Sequence, residues 1–540
     1  MVRGLRPSQS AEPRANESRL APWLNFALLA GAFGIAHAQY PLYYFVQNQH
    51  FFHGLKRAGY GFLSHDWLAG TADVWPVFSA VVEFTYRYLD QRLFYLYYVV
   101  LLGIYAYSIL GIASTLFAID RSRTKYFAYL AVMTALHSPM FGYVSTRLLG
   151  FDAGPVLLEG VASQRILYEM LQPSAFGVFL LLAIHLFLRG KPVHAIIASS
   201  VAGWFHPVYI LIAGVLTWSY MVIVARRGAD RKTRVRLGWY AVGLALPMIV
   251  YMIAAFRPTS LGLWVQAQAI LVHYRLPRHA LVATWLDTLV YVRVAIVLLG
   301  LYVLRRTELF RIMAAFFLTA VGLTLVQVLT QNDTLALVFP WRFSTVLVPV
   351  STMVILAHVL SRLLDDLERR VPRAGSAVVA LSVLAMAGLV AAGGVEMVRR
   401  FDSKVQAESG AVTGFGARTF VISVESGPVM RHVRATMSPE DTYLIPEDWR
   451  YFRLFTGAPA FIEFWFIPYN DVAVIEWYKR VRLADAFYAA TGDARCGMLG
   501  ELSESYKVTH IVVSASDSGG CGNWQLLFGD GKYTLFKVTS

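Results

Sequence analysis

Charge is scarce in this 540-residue chain. Asp, Glu, Lys and Arg make up 15% of it, against about a quarter in a soluble domain. Hydrophobic residues reach 57% and mean hydropathy is +0.51, which excludes an ordinary water-soluble protein and implies an integral membrane protein. Cysteine is nearly absent: there are two, Cys496 and Cys521, both near the C-terminus. They suit a disulfide if that region lies outside the cytoplasm, and two unpaired thiols otherwise. Internal repeats, low-complexity tracts and a cleavable secretory signal are also lacking; the polar N-terminus, with Arg3, Arg6, Arg14 and Arg19, leads into an apolar run in a start-anchor pattern.

Basic residues are in excess, with a net charge of +14. Residues 401–540 hold 13 Lys and Arg against 16 Asp and Glu, or −3, which leaves 35 against 18, or +17, for residues 1–400. The excess belongs to the apolar part, where topology explains it better than nucleic acid, because basic residues collect in cytoplasmic loops. No nucleic-acid partner is expected.

Apolar runs of spanning length occupy about 22–40, 93–118, 125–142, 174–188, 208–225, 237–255, 286–304, 309–330, 343–361 and 377–397. A shorter run at 194–204 ends at Trp204, Phe205, His206 and Pro207, which implies a broken hairpin covered by protein or a wet cavity. Counting it gives about eleven membrane helices. The basic clusters Arg3–Arg19, Arg121–Lys125, Arg189/Lys191, Arg226–Arg236, Arg305–Arg311 and Arg362–Arg373 then all fall on the N-terminal, cytoplasmic side; Arg399 and Arg400 fall on the other. The expected organisation is a cytoplasmic tail 1–21, a membrane domain 22–397 with outer-face loops 41–90, 139–172, 256–285 and 331–342, and an outer domain 398–540. In a bacterium this is an inner-membrane protein with a periplasmic C-terminal domain. Short strands at 442–446, 459–464, 510–514 and 534–538 and a helix at 471–488 give that domain an α/β character. The fold class is therefore an all-α polytopic membrane protein with a C-terminal extracytoplasmic α/β domain.

The first outer loop centres on residues 59–76, where Asp66 and Asp73 lie seven residues apart among aromatics, glycines and a proline. A carboxylate there can deprotonate an acceptor hydroxyl or ligate a divalent cation, with His65 assisting and Trp67 beside it. The plainer reading is that both aspartates cap short interfacial helices. Loop 256–285 carries His273, Arg275, Arg278 and His279, a set that suits phosphate or pyrophosphate, or lipid head groups. No cysteine lies near these histidines, which disfavours zinc. Arg342 is either a second phosphate contact or an interfacial anchor. Glu159, Gln164, Arg165 and Glu169 form a polar set able to hydrogen-bond a sugar. His206 sits at the hairpin break.

This plan resembles the GT-C superfamily of polytopic glycosyltransferases. The likeness rests on an acidic loop after the first helix (Asp66, Asp73), about eleven helices, a broken hairpin, later outer arginines (Arg275, Arg278, Arg342) and an outer C-terminal domain. The strings 62–67, 275–279 and 340–344 also look like those of a group of uncharacterised bacterial membrane proteins of this mould. The chain lacks the Asp-x-Asp or Glu-x-Asp pair of many members. The resemblance implies transfer of a sugar from a polyprenyl-phosphate donor to a glycan or protein acceptor. It assigns Asp66 as base, with Asp73 supporting it or holding magnesium or manganese, and Arg275, Arg278, His279, His273 and Arg342 to the donor phosphate. A transporter or flippase of a lipid-linked or anionic substrate is the rival; it calls for ionisable residues deep within spans, and few are present. A non-catalytic envelope-assembly scaffold is the other.

Overall fold

The computed structural model describes residues 21–44, 46–401, 427–446, 449–517 and 521–539. The basic residues Arg3, Arg6, Arg14 and Arg19 lie outside them, as do Glu447 and Asp448.

Six helical stretches among the described residues are long and apolar enough to cross a membrane: Leu93–Phe117, Tyr209–Arg226, Arg231–Ala255, Glu308–Thr330, Asp333–Arg370 and Ala374–Phe401. The other five apolar runs are also helices, but shorter: Ala21–His37, Arg123–Leu136, Val178–Leu188, Pro192–Phe205 and Thr288–Leu304. The protein is therefore a helical multi-pass membrane protein whose apolar outer surface meets lipid. Trp239 on Arg231–Ala255 is 70% exposed and Leu384 on Ala374–Phe401 is 68% exposed. In lipid, such side chains have no reason to turn inward, so helices associate through close packing at small residues instead. Gly103 lies against Ala30, Gly300 against Ser351, and Gly393 against Ile35 and Ala36, each leaving no room for a Cβ. The break after Pro192–Phe205 is a turn through His206 into Tyr209–Arg226, as the sequence implied.

The C-terminal region carries a four-stranded sheet in the order β1-β2-β4-β3: β1 (Tyr443–Leu444), β2 (His510–Ser514), β3 (Trp524–Gly529) and β4 (Tyr533–Val538). β1 and β2 are parallel and the remaining pairs antiparallel. Helices Gly427–Thr436, Asp471–Ala489 and Gly492–Tyr506 accompany it. Two expectations need correction. The stretch 459–464 is not a strand: Ala460 bridges Tyr443, but its N–H is drawn away to Asp66. β3 was not foreseen, because three of its four central residues are exposed and show no apolar alternation. Cys496 and Cys521 are joined by a disulfide, with Cα atoms 5.6 Å apart.

This region packs directly on loops 41–90 and 256–285. Ala267, Ile270 and Leu271 share a core with Phe461, Val474 and Trp477. Gly61 and Gly457 meet backbone to backbone, both with positive φ (53° and 82°), and the Phe62 N–H donates to the Gly457 carbonyl at 2.7 Å. A side chain on Gly61 would collide with the Gly457 backbone.

Candidate functional site

Loops and the C-terminal region together enclose a cavity of about 1240 Å³, larger than the roughly 300–1,000 Å³ of a small-ligand site. Its wall is mixed: Met252, Phe256, Trp264 and Leu271 are apolar, and a basic face stands among them. Six arginines line it, Arg165, Arg275, Arg278, Arg293, Arg342 and Arg450, against three carboxylates, Glu169, Asp287 and Asp471.

Arg342 leads into the helix Ser344–Arg370. It donates from Nε to Gln164 Oε1 at 3.1 Å and from Nη1 to His206 Nε2 at 3.1 Å. Neither partner is an anion, and the groups acting on this buried guanidinium are tyrosines. Arg275 ends a short π-helical turn, Ile270–Arg275. It donates to the Trp465 carbonyl at 3.0 Å and lies about 5 Å from the Phe464 and Trp465 ring centres. Burial pushes its pKa down to about 10, and no carboxylate counters the shift. Arg278 is exposed to the cavity and makes no hydrogen bond or ion pair among the described residues. Arg275 Nε, Gln164 Nε2 and His206 Nδ1 are buried without a partner. Buried charges are ordinarily paired and buried donors ordinarily satisfied. Two largely buried cations in the wall of one cavity, neither neutralised by a carboxylate, suit an anionic ligand.

His279 Nδ1 donates to the Ala162 carbonyl at 3.0 Å. Burial, with Arg342 next in strength, lowers its pKa to about 4, so the ring is neutral. Ala162, Ser163 and Phe339 all adopt left-handed backbone angles (φ 57°, 53° and 53°) and all line the cavity. Non-glycine residues avoid that region and concentrate there at functional sites.

Eight of the residues singled out in the sequence line the cavity: Gln164, Arg165, Glu169, His206, Arg275, Arg278, His279 and Arg342. Glu159 lines a smaller adjoining cavity and pairs with Arg165 at 3.0 Å. Arg165 also pairs with Glu169 at 3.5 Å. Burial pushes the Glu169 carboxyl up, but Arg165, Arg400 and His37 outweigh it and hold its pKa at about 2.

The first outer loop does not contribute as expected. Asp66 lines neither this cavity nor the adjoining one. Its side chain is fully enclosed, taking Arg453 Nε at 2.6 Å, the Ala460 N–H at 2.9 Å and, at the head of the Trp67–Gly70 turn, the Leu68 N–H at 2.9 Å. With Arg453 Nη2 also donating to Oδ1 at 3.3 Å, these bonds fill the roughly four acceptor sites of a carboxylate and leave none for a substrate proton. The capping reading of Asp66 is the one the geometry matches. Asp73 lies behind the wall formed by Val74 and Trp75, accepting from the Trp75 N–H at 2.9 Å and pairing with Arg57 at 3.2 Å. His65 is exposed away from the cavity, His273 pairs with Asp333 at 3.2 Å, and Trp67 packs under Arg480 at 4.5 Å. With their oxygens committed to guanidinium and backbone N–H groups, Asp66 and Asp73 do not fit a divalent cation. Among the described residues no cluster of three or more His, Cys, Asp or Glu is placed to hold one.

Several wall residues escaped sequence reasoning. Arg293 is 6% exposed within the helix Thr288–Leu304 and donates to the Pro155 carbonyl at 3.2 Å; a lone arginine in an apolar run was the available signal. Trp465 and Tyr469 come from the C-terminal region, and nothing local ties them to loops almost 200 residues earlier; Arg450, 3.8 Å above the Trp465 ring, belongs to the stretch 446–457, where aromatics mixed with arginines suit glycan stacking or ordinary packing alike.

A family model described as a domain of unknown function (DUF6798) matches residues 424–484. That stretch contains Arg450, Arg453, Glu463, Trp465 and Tyr469, the part of the C-terminal region that meets the cavity and the first outer loop. No curated protein matches the chain.

Proposed function

We propose that the protein is a GT-C-type glycosyltransferase of the bacterial inner membrane, with eleven spans, a cytoplasmic N-terminus and a periplasmic C-terminal domain. It moves a sugar from a polyprenyl-phosphate donor to a glycan or protein acceptor. The observation that carries this reading is the pair of buried guanidinium groups, Arg342 and Arg275, that face a large, partly apolar cavity with no carboxylate to neutralise them. The acceptor oxygen attacks the anomeric carbon, the bond to the phosphate oxygen breaks, and the electron pair passes to the phosphate. Arginines already in place stabilise that growing charge without reorganising. The apolar wall takes the start of the prenyl chain. Glu169 receives the acceptor proton: it is a carboxylate at neutral pH, and its one ion pair leaves acceptor positions open. Asp287 Oδ1 caps the helix after it, and both oxygens of Asp471 are held by Thr259. The disulfide agrees with an oxidising compartment.

The test is transfer by the full-length protein in nanodiscs, given radiolabelled polyprenyl-phosphate sugars and membrane extract as acceptor. Wild-type transfer should fall about 10²- to 10³-fold in Arg342→Gln, as expected for losing a donor that stabilises developing charge. Movement of a labelled lipid across a liposome bilayer without any transfer would overturn the reading in favour of a flippase.

A further inference from the structure

We infer that the acceptor is a glycan, and that its sugar hydroxyl is presented from the smaller cavity. This rests on the transferase reading above and gives it a second substrate site. The smaller cavity measures about 140 Å³, below the roughly 300–1,000 Å³ of a drug-sized ligand site, so it admits a single small ring. Tyr40, Arg165, Glu169 and Thr345 line both cavities. Glu169 therefore stands on their boundary, where an acceptor oxygen from one side meets the donor from the other.

The two walls differ in charge. Arginines outnumber carboxylates in the larger cavity, whereas the smaller holds Asp152, Glu159 and Glu169 against Arg165 and Arg400. Both of these arginines are paired, Arg165 with Glu159 at 3.0 Å and Glu169 at 3.5 Å, and Arg400 with Glu396 at 3.0 Å. His37 and His137 spend their ring nitrogens on backbone carbonyls and the Tyr105 hydroxyl. Asp152 is open: its Oδ1 accepts from the Gly154 N–H at 2.9 Å, and its Oδ2 has no hydrogen bond or ion pair among the described residues. Both oxygens lie 3.1 Å from where a Cβ on Gly142 would stand, so the glycine makes room for the carboxylate at the wall. A hydroxyl both donates and accepts, whereas an ammonium only donates and a carboxylate or phosphate anion only accepts. Acceptor oxygens on Asp152 and Glu169 beside the N–H groups of Arg165 fit a ring with several hydroxyls, and Phe141 and Pro349 offer apolar surface to its C–H face. A protein acceptor would bring one hydroxyl on a flexible side chain and leave most of these groups unmet. The hydroxyl oxygen attacks the anomeric carbon, the bond to the phosphate oxygen breaks with its electron pair left on the phosphate, and Glu169 takes the proton.

The experiment uses the full-length protein in nanodiscs, a radiolabelled polyprenyl-phosphate sugar as donor and membrane extract as acceptor. The extract is supplied untreated, digested with protease, or oxidised with periodate, which cleaves the vicinal diols of sugars, and then quenched. Transfer should survive protease and be lost after periodate. Any other pattern overturns the glycan assignment and leaves the transferase reading intact. Asp152→Asn keeps the oxygen that holds the Gly154 N–H. It should raise the extract concentration for half-maximal transfer about tenfold, as for a lost hydrogen bond to a charged group, with donor affinity unchanged. An equal loss of donor affinity, or an unchanged half-maximal concentration, overturns the assignment of the cavity to the acceptor. No transfer to untreated extract by the wild type overturns the transferase reading and the inference with it.

Discussion

Arg453 Nε lies 2.6 Å from Asp66 Oδ2, and neither side chain has any exposed surface. One residue belongs to loop 41–90 and the other to the C-terminal region, so this pair clamps the region onto the membrane part. Arg453 also bonds the Ala460 carbonyl at 2.9 Å and stands 3.7 Å from Glu463.

Removing one partner of a buried pair strands the other, at a cost of about 3–5 kcal/mol. Asp66→Ala should therefore loosen the C-terminal region, read as faster hydrogen exchange over 452–463 and a lower unfolding temperature. An Asp66→Asn variant with unchanged exchange and unfolding but no transfer would instead return Asp66 to the chemistry.

Glu463 gives the clamp a pH dependence. Burial raises its pKa to about 7 in spite of Arg453, whereas in an unfolded chain it titrates near 4.3. Between those values the folded state holds the proton and the unfolded state does not. The Glu463 contribution is therefore largest below the lower value, falls as pH rises, and levels off above about pH 7; its total is on the order of 3 kcal/mol. The difference in stability between the wild type and Glu463→Gln, measured by denaturation of the full chain at pH 5, 6, 7 and 8, should show this slope.

Glu169→Gln should reduce transfer by about 10²- to 10⁴-fold, the range for a general base, with donor affinity changed less than twofold. A loss of donor affinity as large as the loss of rate would show that the residue acts through Arg165 and not on the acceptor. Its carboxyl, held near pKa 2 against burial by Arg165, stays ionised across the working range, so an acid limb of the rate profile above pH 4 belongs to another group.

The Cys496–Cys521 disulfide closes a loop with a sequence separation of 25. Loop-closure entropy puts its contribution near 3.5 kcal/mol. Reduction, or Cys496→Ser with Cys521→Ser, should lower the stability of the sheet region by about that amount while leaving transfer at low temperature measurable.

Much of the plan was legible in the sequence. All eleven apolar runs are helices, because long apolar segments have no other way to satisfy their backbone in lipid. The arginines at 275, 278 and 342 were found because charge beside an apolar span is rare enough to stand out. Asp66 misled for a physical reason: its partner is 387 residues away, and a buried, saturated carboxylate looks the same in sequence as a reactive one. Arg399 and Arg400 seemed to break the charge rule. Arg400 is in fact an interior residue, 5% exposed, paired with Glu396 at 3.0 Å and lying over the Tyr40 ring at 3.9 Å.

That same arginine donates to the Ala38 carbonyl, just beyond the helix Ala21–His37, while Gly393 lets the helix Ala374–Phe401 press against Ile35 and Ala36. The contact joins segments more than 350 residues apart, and the second is made last among the membrane helices. During synthesis the first helix must wait, its carbonyl unmet, until nearly all the others have entered the bilayer. Closure of this contact is thus a late event in biogenesis, and a ribosome stalled before residue 393 would hold a bundle that is inserted but unlocked.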